Sequence, residues 1–386
     1  MNKYFVRLMR YSSLFIWLIC FGCREYYEPP ILKTNPHFLV LDGFLNSSPD
    51  STYIKLTYTR NLSDTAPAAP ALNATLIVEG DQNTRIPLYE NGNGLYANLL
   101  LLNTAEKYRL TITTSDGVKY QSDYVPFRQT PPIDSLTWEQ DSSNVRFYIE
   151  THDPQNNTTY YRWNYQETWQ YSTYLTSNFD YVHGTLVPRP PDQQIHNCWK
   201  SNNPATILLA STSQLNHDIV SHFLFNKVSK STEELYLLYS VIVNQYALTK
   251  DEFEYWTELK KNSEQLGTLF DAQPSQLNSN IHCISDPSNP VLGYLSASTV
   301  QKKRIFVGSS DLSNSNYVPY YLPCHTLKDV TTGFGSQDTA RAYEYLEMPR
   351  HLFTFWYFDG AYHVAQNFCI DCREHGGTNV KPAFWP

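Results

Sequence analysis

The sequence has no apolar run long enough to predict a permanent transmembrane helix. Its apolar N-terminal stretch, residues 11–22 (YSSLFIWLICFG), is far shorter than the roughly 18 to 20 residues that cross a hydrocarbon core. The chain also lacks a nucleophile elbow, an HExxH motif, a phosphate loop and a dinucleotide-binding fingerprint. These absences remove the local signatures of several enzyme classes, although paired catalytic acids leave no such signature. We therefore predict no cofactor and have no positive reason to predict catalysis.

The chain has no excess of basic residues either. The chain carries 29 Lys and Arg against 37 Asp and Glu, which gives a formal net charge of −8. Loss of residues 1–22, which hold three basic and no acidic residues, would change this charge to −11. A chain of this charge is not expected to bind nucleic acid or to be held electrostatically on anionic lipid.

The N-terminus does contain the three parts of a secretory signal. A basic segment precedes the apolar stretch, and Gly22 then stands before Cys23 as the small residue that a cleavage site needs. This pair is typical of lipoproteins, in which the cysteine is acylated and becomes the new N-terminus. We predict a signal peptide at 1–22, lipidation of Cys23 and a tether at 23–35 that holds the chain to a membrane. The alternative is an ordinary signal peptide with an incidental cysteine.

The composition of the chain predicts a mainly β fold. Tyr (30 residues) and Trp (8 residues) are abundant, whereas charged residues make up only 17% of the chain. Tyr, Thr and Trp favour strands, and the intervening Asn, Ser, Pro and Gly residues favour turns. Short alternating segments at regular spacing predict an immunoglobulin-like β-sandwich over 36–128. Consecutive prolines in RQTPPI, residues 128–133, mark the end of this domain.

The remaining residues, 133–386, are predicted to form a larger β-rich domain with long loops. A polar, proline-containing stretch at 172–204 is the longest of these predicted loops. Thr249 and Glu252 have the spacing of a capping box, which satisfies free backbone N–H groups at the start of a helix. The sequence therefore predicts a helical insertion near 249–266.

The cysteines are consistent with an oxidising compartment. After loss of one cysteine with the signal and lipidation of another, the disulfide candidates are Cys198, Cys283, Cys324, Cys369 and Cys372. Because five is odd, we predict two disulfides and one free or intermolecular thiol. We expect Cys324 to pair with a member of the C-terminal CIDC motif, and Cys198 to pair with Cys283.

The CIDC motif, Cys369 to Cys372, is followed by His375 and is the most chemically suggestive part of the chain. A thioredoxin-like redox role is not supported because no βαβ pattern precedes the motif. The alternative is a metal site on Cys369, Cys372 and His375, which would require further ligands. We favour structural disulfides because they dominate in oxidising compartments.

An aromatic-rich stretch at 160–174 (YYRWNYQETWQYSTY) has two interpretations. Its rings could form a platform on which a sugar stacks. Alternating aromatics in a strand are also typical of a core that is packed on one side. We favour the core for at least half of these rings.

Several long ordered segments resemble one known family. They are FLVLDGFLN at 38–46, PPIDSL at 131–136, Cys198-Trp199, YSVIVNQYALTKDEFEYW at 239–256, GTLFDAQPSQLNSNI at 267–281, PVLGYLSAS at 290–298 and CIDCREHGGTNVKPAFW at 369–385. In these segments the chain is similar to the uncharacterised Bacteroidota lipoprotein family catalogued as domain of unknown function 4249. The resemblance implies an outer-membrane lipoprotein whose genes often lie beside those of TonB-dependent transporters. It implies no activity and no catalytic residue.

Together these features predict a non-catalytic binding or accessory subunit of a TonB-dependent outer-membrane transporter or surface complex. The chain would be anchored in the outer membrane by its lipid, facing the periplasm or, as we favour, the cell surface. The alternative is a cell-envelope hydrolase acting on glycans or peptides. A deep cleft with close carboxylates would favour the hydrolase, and an aromatic surface would favour binding.

Overall fold

A computed structural model describes residues 37–60, 65–182, 185–264, 277–313, 324, 353–358 and 361–386. The predicted signal peptide, the lipidation site Cys23 and the tether lie outside the described residues. Among the residues that are described, no helix is long and apolar enough to cross a membrane.

The described chain is mainly β, as predicted. Its strands are β1 (Leu39–Asn46), β2 (Thr52–Tyr58), β3 (Thr75–Gly80), β4 (Arg85–Glu90), β5 (Leu95–Asn98), β6 (Lys107–Thr113), β7 (Lys119–Ser122), β8 (Val125–Arg128), β9 (Ile133–Gln140), β10 (Asn144–His152), β11 (Tyr160–Ser172), β12 (Phe179–Val182), β13 (Thr185–Pro188), β14 (Asn197–Asn202), β15 (Leu208–Ser211), β16 (Ile219–Ser229), β17 (Leu238–Ala247), β18 (Ile281–Cys283), β19 (Ala297–Ser298), β20 (Val300–Gly308), β21 (Phe353–Phe358) and β22 (Ala361–Gln366). The α-helix of the described residues is α1 (Lys250–Glu264).

The N-terminal body is a closed ring of eight strands. Neighbouring strands pair in the order β6, β3, β4, β5, β2, β1, β19 and β8, and β8 then pairs with β6 to close the ring. Strand β8 pairs with the start of β6, and β7 pairs with the end of β6 at Thr111–Thr113. Strand β18 then pairs with β7 and extends the sheet. Alternate side chains such as Leu41, Ile54, Leu76 and Ile112 point inward and form the core. The expected plain sandwich is therefore wrong, and this body is a barrel.

The reason lies in a strand from much later in the chain. Strand β19 runs parallel to both β1 and β8, with Leu45 opposite Ala297 and Ala297 opposite Phe127. A sandwich would leave the edges of β1 and β8 open, but β19 occupies the gap between them. Leu295 and Ala297 are buried in the core of the barrel. Residues 281–298, which sequence reasoning assigned to the second domain, thus pack on the first body.

The second body consists of two sheets with an aromatic core between them. One sheet has the order β16-β10-β9, and the other has the order β14-β11-β17-β20 with β15 also paired to β11. Phe147 of the first sheet contacts Tyr239 of the second at a centroid distance of 5.2 Å. Trp163 of the second sheet stacks on Phe223 of the first at 4.7 Å. Further strands occur in the region 172–204, which was wrongly predicted to be a loop.

Helix α1 begins where its capping box predicts. The backbone N–H of Glu252 donates to the Thr249 hydroxyl at 3.2 Å, and the backbone of Thr249 hydrogen-bonds the Glu252 carboxyl group. Tyr160 of β11 contacts Phe253 of the helix at a centroid distance of 5.0 Å. The helix is thereby fixed against the sheet of the second body, beside β11.

Two disulfides hold the C-terminal segment, and one of them joins it to the second body. Cys198 of β14 is bonded to Cys372, and Cys324 is bonded to Cys369. Cys283 is buried and free. The expected Cys198–Cys283 bridge is wrong because Cys283 lies on β18, which pairs with β7 of the N-terminal barrel. The expected link from Cys324 to the CIDC motif is present.

Candidate ligand-binding cleft

A cleft of about 730 Å³ opens where the two bodies and helix α1 meet. Its walls come from β1 and β2 of the barrel, from α1, and from the segment that leads into β19. Its lining residues are Asp42, Gly43, Phe44, Asn46, Pro49, Asp50, Ser51, Tyr53, Arg162, Asn164, Asn244, Tyr246, Trp256, Tyr294, Ser296, Val300 and Lys302. The cleft is thus aromatic and polar, with charges of both signs.

The register of three strands builds the floor of the cleft. On β11, Tyr161, Trp163 and Tyr165 face the core, so the alternate residues Arg162 and Asn164 face the cleft. Arg162 lies opposite Tyr246 of β17, and Asn164 lies opposite Asn244. Lys302 of β20 lies opposite Asn244 on the other side of β17, so Asn164, Asn244 and Lys302 stand side by side across three strands. Because the positions are fixed by ladder hydrogen bonds, the polar groups stand on a rigid surface.

The Arg162 side chain contacts two aromatic rings. Its guanidinium carbon lies 4.3 Å from the centroid of Tyr246 and 4.1 Å from the centroid of Trp256 on α1. Both distances are within the range of a cation–π interaction. Phe44 of the barrel meets Tyr246 edge-on at 5.2 Å, so residues from both bodies support the stack. Arg162 therefore marks the centre of the junction.

Hydrogen bonding leaves the guanidinium of Arg162 incomplete. Its Nε is buried and has no hydrogen-bond partner among the described residues. Burial lowers the pKa of the Arg162 guanidinium, while Tyr246, Glu252 and Asp42 act electrostatically in the opposite direction. A buried donor without a partner costs roughly 1 to 3 kcal/mol, so this N–H remains available to an acceptor other than the described residues.

Glu252 lies behind the cleft wall and is not among its lining residues. Burial raises the pKa of its carboxyl group, and the charge of Arg162 and a hydrogen bond from Ser296 oppose that rise. Trp256 Nε1 also donates to Glu252 Oε1 at 3.4 Å. The Glu252 carboxyl group thus positions the helix and the Trp256 ring that covers Arg162.

The other charged residues that line the cleft are exposed. Lys302 Nζ donates to Asp50 Oδ2 at 2.5 Å, and this ion pair links β20 to the loop that follows β1. Asp42 on β1 is exposed, and its charge acts on Arg162. Tyr53 on β2 is 52% exposed and offers an open ring beside them.

The CIDC motif forms disulfides, as favoured from the sequence, and the alternative metal site on Cys369, Cys372 and His375 is wrong. Cys369 and Cys372 belong to two different disulfides, so neither sulfur is available as a thiolate ligand. His375 Nε2 lies 2.6 Å from the carbonyl oxygen of Phe368. Among the residues that the structure describes, no group of three or more His, Cys, Asp or Glu side chains could hold a metal ion.

The aromatic stretch at 160–174 contributes mainly to the core. Tyr161, Trp163, Tyr165 and Tyr171 are buried, in agreement with the preferred interpretation. Sequence reasoning missed Arg162 and Asn164, although both alternate with these rings in the printed sequence. A positive charge between two aromatic core positions was the signal that could have found the cleft.

A second cluster of buried polar groups is structural. Glu167 Oε1 accepts from the Tyr239 hydroxyl at 2.7 Å and from Asn226 Nδ2 at 2.8 Å, and its Oε2 accepts from Asn202 Nδ2 at 3.1 Å. Both oxygens accept hydrogen bonds from residues of the second body, so this carboxylate stabilises the fold.

Comparisons with known proteins identify a family but no activity. The family described as "Domain of unknown function (DUF4249)" matches residues 24–304. No curated protein matches the chain significantly. A two-domain fibronectin type-III segment of chicken tenascin shares 9% identity at a TM-score of 0.16, over 55% of this chain and 92% of that segment. A putative carbohydrate-binding protein from Bacteroides uniformis shares 10% identity at a TM-score of 0.15, over 56% and 91%. Similarities this low support no argument.

Proposed function

The chain belongs to the DUF4249 family, and from that premise we propose that it is a non-catalytic binding lipoprotein. In this proposal Cys23 carries the lipid that anchors the chain in the outer membrane, with the described bodies facing the cell surface. The protein would serve as an accessory subunit of a TonB-dependent transporter or surface complex. Its ligand would be a small organic molecule that binds in the cleft.

The observation that carries the proposal is the incomplete environment of Arg162. Two rings fix the guanidinium, yet its buried Nε has no partner among the described residues. A volume of about 730 Å³ is within the usual range for small-molecule sites. Exposed Tyr53 and the paired carboxamides of Asn164 and Asn244 add apolar and polar contacts around it.

One observation favours the alternative, a cell-envelope hydrolase. Burial raises the pKa of Glu252, which is a property of general acids. This carboxyl group is, however, already engaged by Ser296 and Trp256 and does not line the cleft. Glycoside hydrolysis also needs a second carboxylate across the scissile bond. Two carboxylates, those of Asp42 and Asp50, line the cleft, and that of Asp50 is already paired with Lys302.

A fluorescence titration tests the binding function. The full chain in mild detergent is titrated with neutral sugars, uronic acids, amino acids and dipeptides while tryptophan emission is recorded. We expect a saturable change for at least one probe, and we expect Trp256→Ala to abolish it because that ring forms a wall of the cleft. Trp138→Phe on β9 is the matched control and should bind like the wild type. Failure of every probe, or unchanged binding by Trp256→Ala, would overturn the binding proposal.

A second experiment tests the accessory role separately. The tagged full chain is recovered from native outer membranes in mild detergent, and its companions are identified by mass spectrometry. A stoichiometric β-barrel transporter is the expected companion. Recovery of the chain alone would refute the accessory role, whereas ligand binding in the titration would still stand.

A further inference from the structure

We propose that the ligand of the cleft carries a carboxylate group and that Arg162 receives it. The inference rests on the proposed binding function and specifies its ligand class. It depends on the shape of the guanidinium environment, on the pairing of the neighbouring charges and on the free polar groups nearby.

The stacked rings determine which part of Arg162 a ligand can reach. The rings of Tyr246 and Trp256 contact the guanidinium carbon at 4.3 and 4.1 Å, and these π contacts do not use the N–H groups that lie in the guanidinium plane. Only the in-plane N–H groups remain for hydrogen bonding. A planar fork of N–H donors matches the two oxygens of a carboxylate, which can accept two parallel hydrogen bonds. A hydroxyl or a single carbonyl would leave part of this fork without an acceptor.

The carboxylates of the protein do not fill this fork. Glu252 accepts from Trp256 Nε1, and Asp50 is paired with Lys302 at 2.5 Å. Asp42 acts on Arg162 through its charge, but the structure shows no hydrogen bond between them among the described residues. Of the two cations that line the cleft, Lys302 is neutralised, and Arg162 still has a buried N–H to donate.

The groups beside Arg162 indicate what the rest of the ligand contains. Asn244 Nδ2 donates to Asn164 Oδ1 at 2.7 Å, which leaves the Asn244 carbonyl oxygen as an acceptor toward the cleft. Asn164 Nδ2 donates to the Tyr246 hydroxyl at 3.3 Å, and among the described residues that hydroxyl donates no hydrogen bond of its own. Such groups suit hydroxyls or amides. A sugar acid and an amino acid both combine these groups with a carboxylate.

Isothermal titration with matched probe pairs tests the inference. The full chain in mild detergent is titrated with galacturonate against galactose, and with alanine against alaninamide. Each pair differs in the carboxylate alone or in its conversion to an amide. We expect the acid of at least one pair to bind about 10- to 100-fold more tightly, which is the range for a hydrogen bond to a charged group.

Variants assign the preference to Arg162 rather than to general charge. Arg162→Gln should remove the preference for the acid and leave the affinity for neutral galactose nearly unchanged. Arg162→Lys, which keeps the charge but not the planar fork, should retain only part of the preference. Lys250→Gln, which removes a positive charge of α1 outside the cleft lining, is the control for charge and should keep the preference. Circular dichroism confirms that each variant is folded, and the wild-type pairs remain decisive whether or not a variant folds.

The arms of the experiment separate the two sources of the carboxylate. Tighter binding of galacturonate identifies a sugar acid, and Asp42→Asn should then strengthen binding because a like charge is removed. Tighter binding of alanine identifies an amino acid, and Asp42→Asn should then weaken binding because the ammonium loses its partner. Equal affinity for the acid and for its comparison probe in both pairs would overturn the carboxylate inference but leave the binding function intact. No binding by any of these probes, together with failure of the wider panel, would overturn both.

Discussion

A substitution at Gly43 tests how closely the barrel strands approach one another beside the cleft. Gly43 on β1 has a φ of +136°, a conformation that an L-residue rarely adopts. A Cβ built there would lie 2.3 Å from the carbonyl oxygen of Tyr53 and 3.1 Å from the Cα of Ile54. Those atoms are the backbone of β2, which cannot move away without breaking its ladder with β1.

The cost of Gly43→Ala has two parts. An L-residue in a positive-φ conformation costs roughly 1 to 2 kcal/mol, and overpacking a filled site costs typically 1 to 3 kcal/mol. We therefore expect the free energy of unfolding to fall by about 2 to 5 kcal/mol. Gly117 is the matched control, because it has a φ of +85° and nothing within 4 Å of a built Cβ. Gly117→Ala should cost only the conformational part.

Urea unfolding followed by far-UV circular dichroism measures both variants. The barrel contains no tryptophan within 36–128, so backbone signal is preferable to tryptophan emission. Equal destabilisation by Gly43→Ala and Gly117→Ala would refute the close approach of β1 and β2. A larger loss for Gly43→Ala is the predicted result.

Two further predictions concern the disulfides and an acidic turn. Cys372→Ser should release the thiol of Cys198, detected by alkylation and peptide mass spectrometry, and should lower stability by about 2 to 5 kcal/mol; Cys283→Ser should leave Cys198 oxidised, and a labelled Cys198 in that variant would contradict the pairing. Backbone N–H groups that follow Asp141, with help from other neighbours, lower the pKa of its carboxyl group to about 2. Since an unfolded aspartate has a pKa of about 3.9, the contribution of Asp141 is present above that pH and is lost as the pH falls toward 2. Asp141→Asn should therefore flatten the stability profile between about pH 4 and 2, and an unchanged profile in urea unfolding would contradict this assignment.

Features of the fold that depend on local chemistry were predictable from the sequence. The capping box at Thr249 and Glu252 gave the start of α1 within a residue. Alternation along β2 and β11 identified strands with one buried face. These signals depend on residues that are close in the chain, so they do not require knowledge of tertiary contacts.

Features that depend on distant pairing were not predictable in this way. Barrel closure requires β19, whose two residues Ala297 and Ser298 join strands that end more than 150 residues earlier in the chain. The same return of the chain places Cys283 on the barrel and away from Cys198. The cleft depends on it too, because Tyr294 and Ser296 lie in this segment. Sequence reasoning therefore found the strand that contains Arg162. It did not find the residues that surround Arg162 in the cleft, because they come from distant parts of the chain.

A crystal structure of the full chain soaked with galacturonate, and in parallel with alanine, tests the central claim most directly. The account predicts ligand density in the cleft, with carboxylate oxygens about 2.7 to 2.9 Å from guanidinium nitrogens of Arg162, the usual range for a charge-assisted hydrogen bond. Ligand bound elsewhere, bound with its carboxylate turned away from Arg162, or absent at saturating concentration of both probes would contradict it.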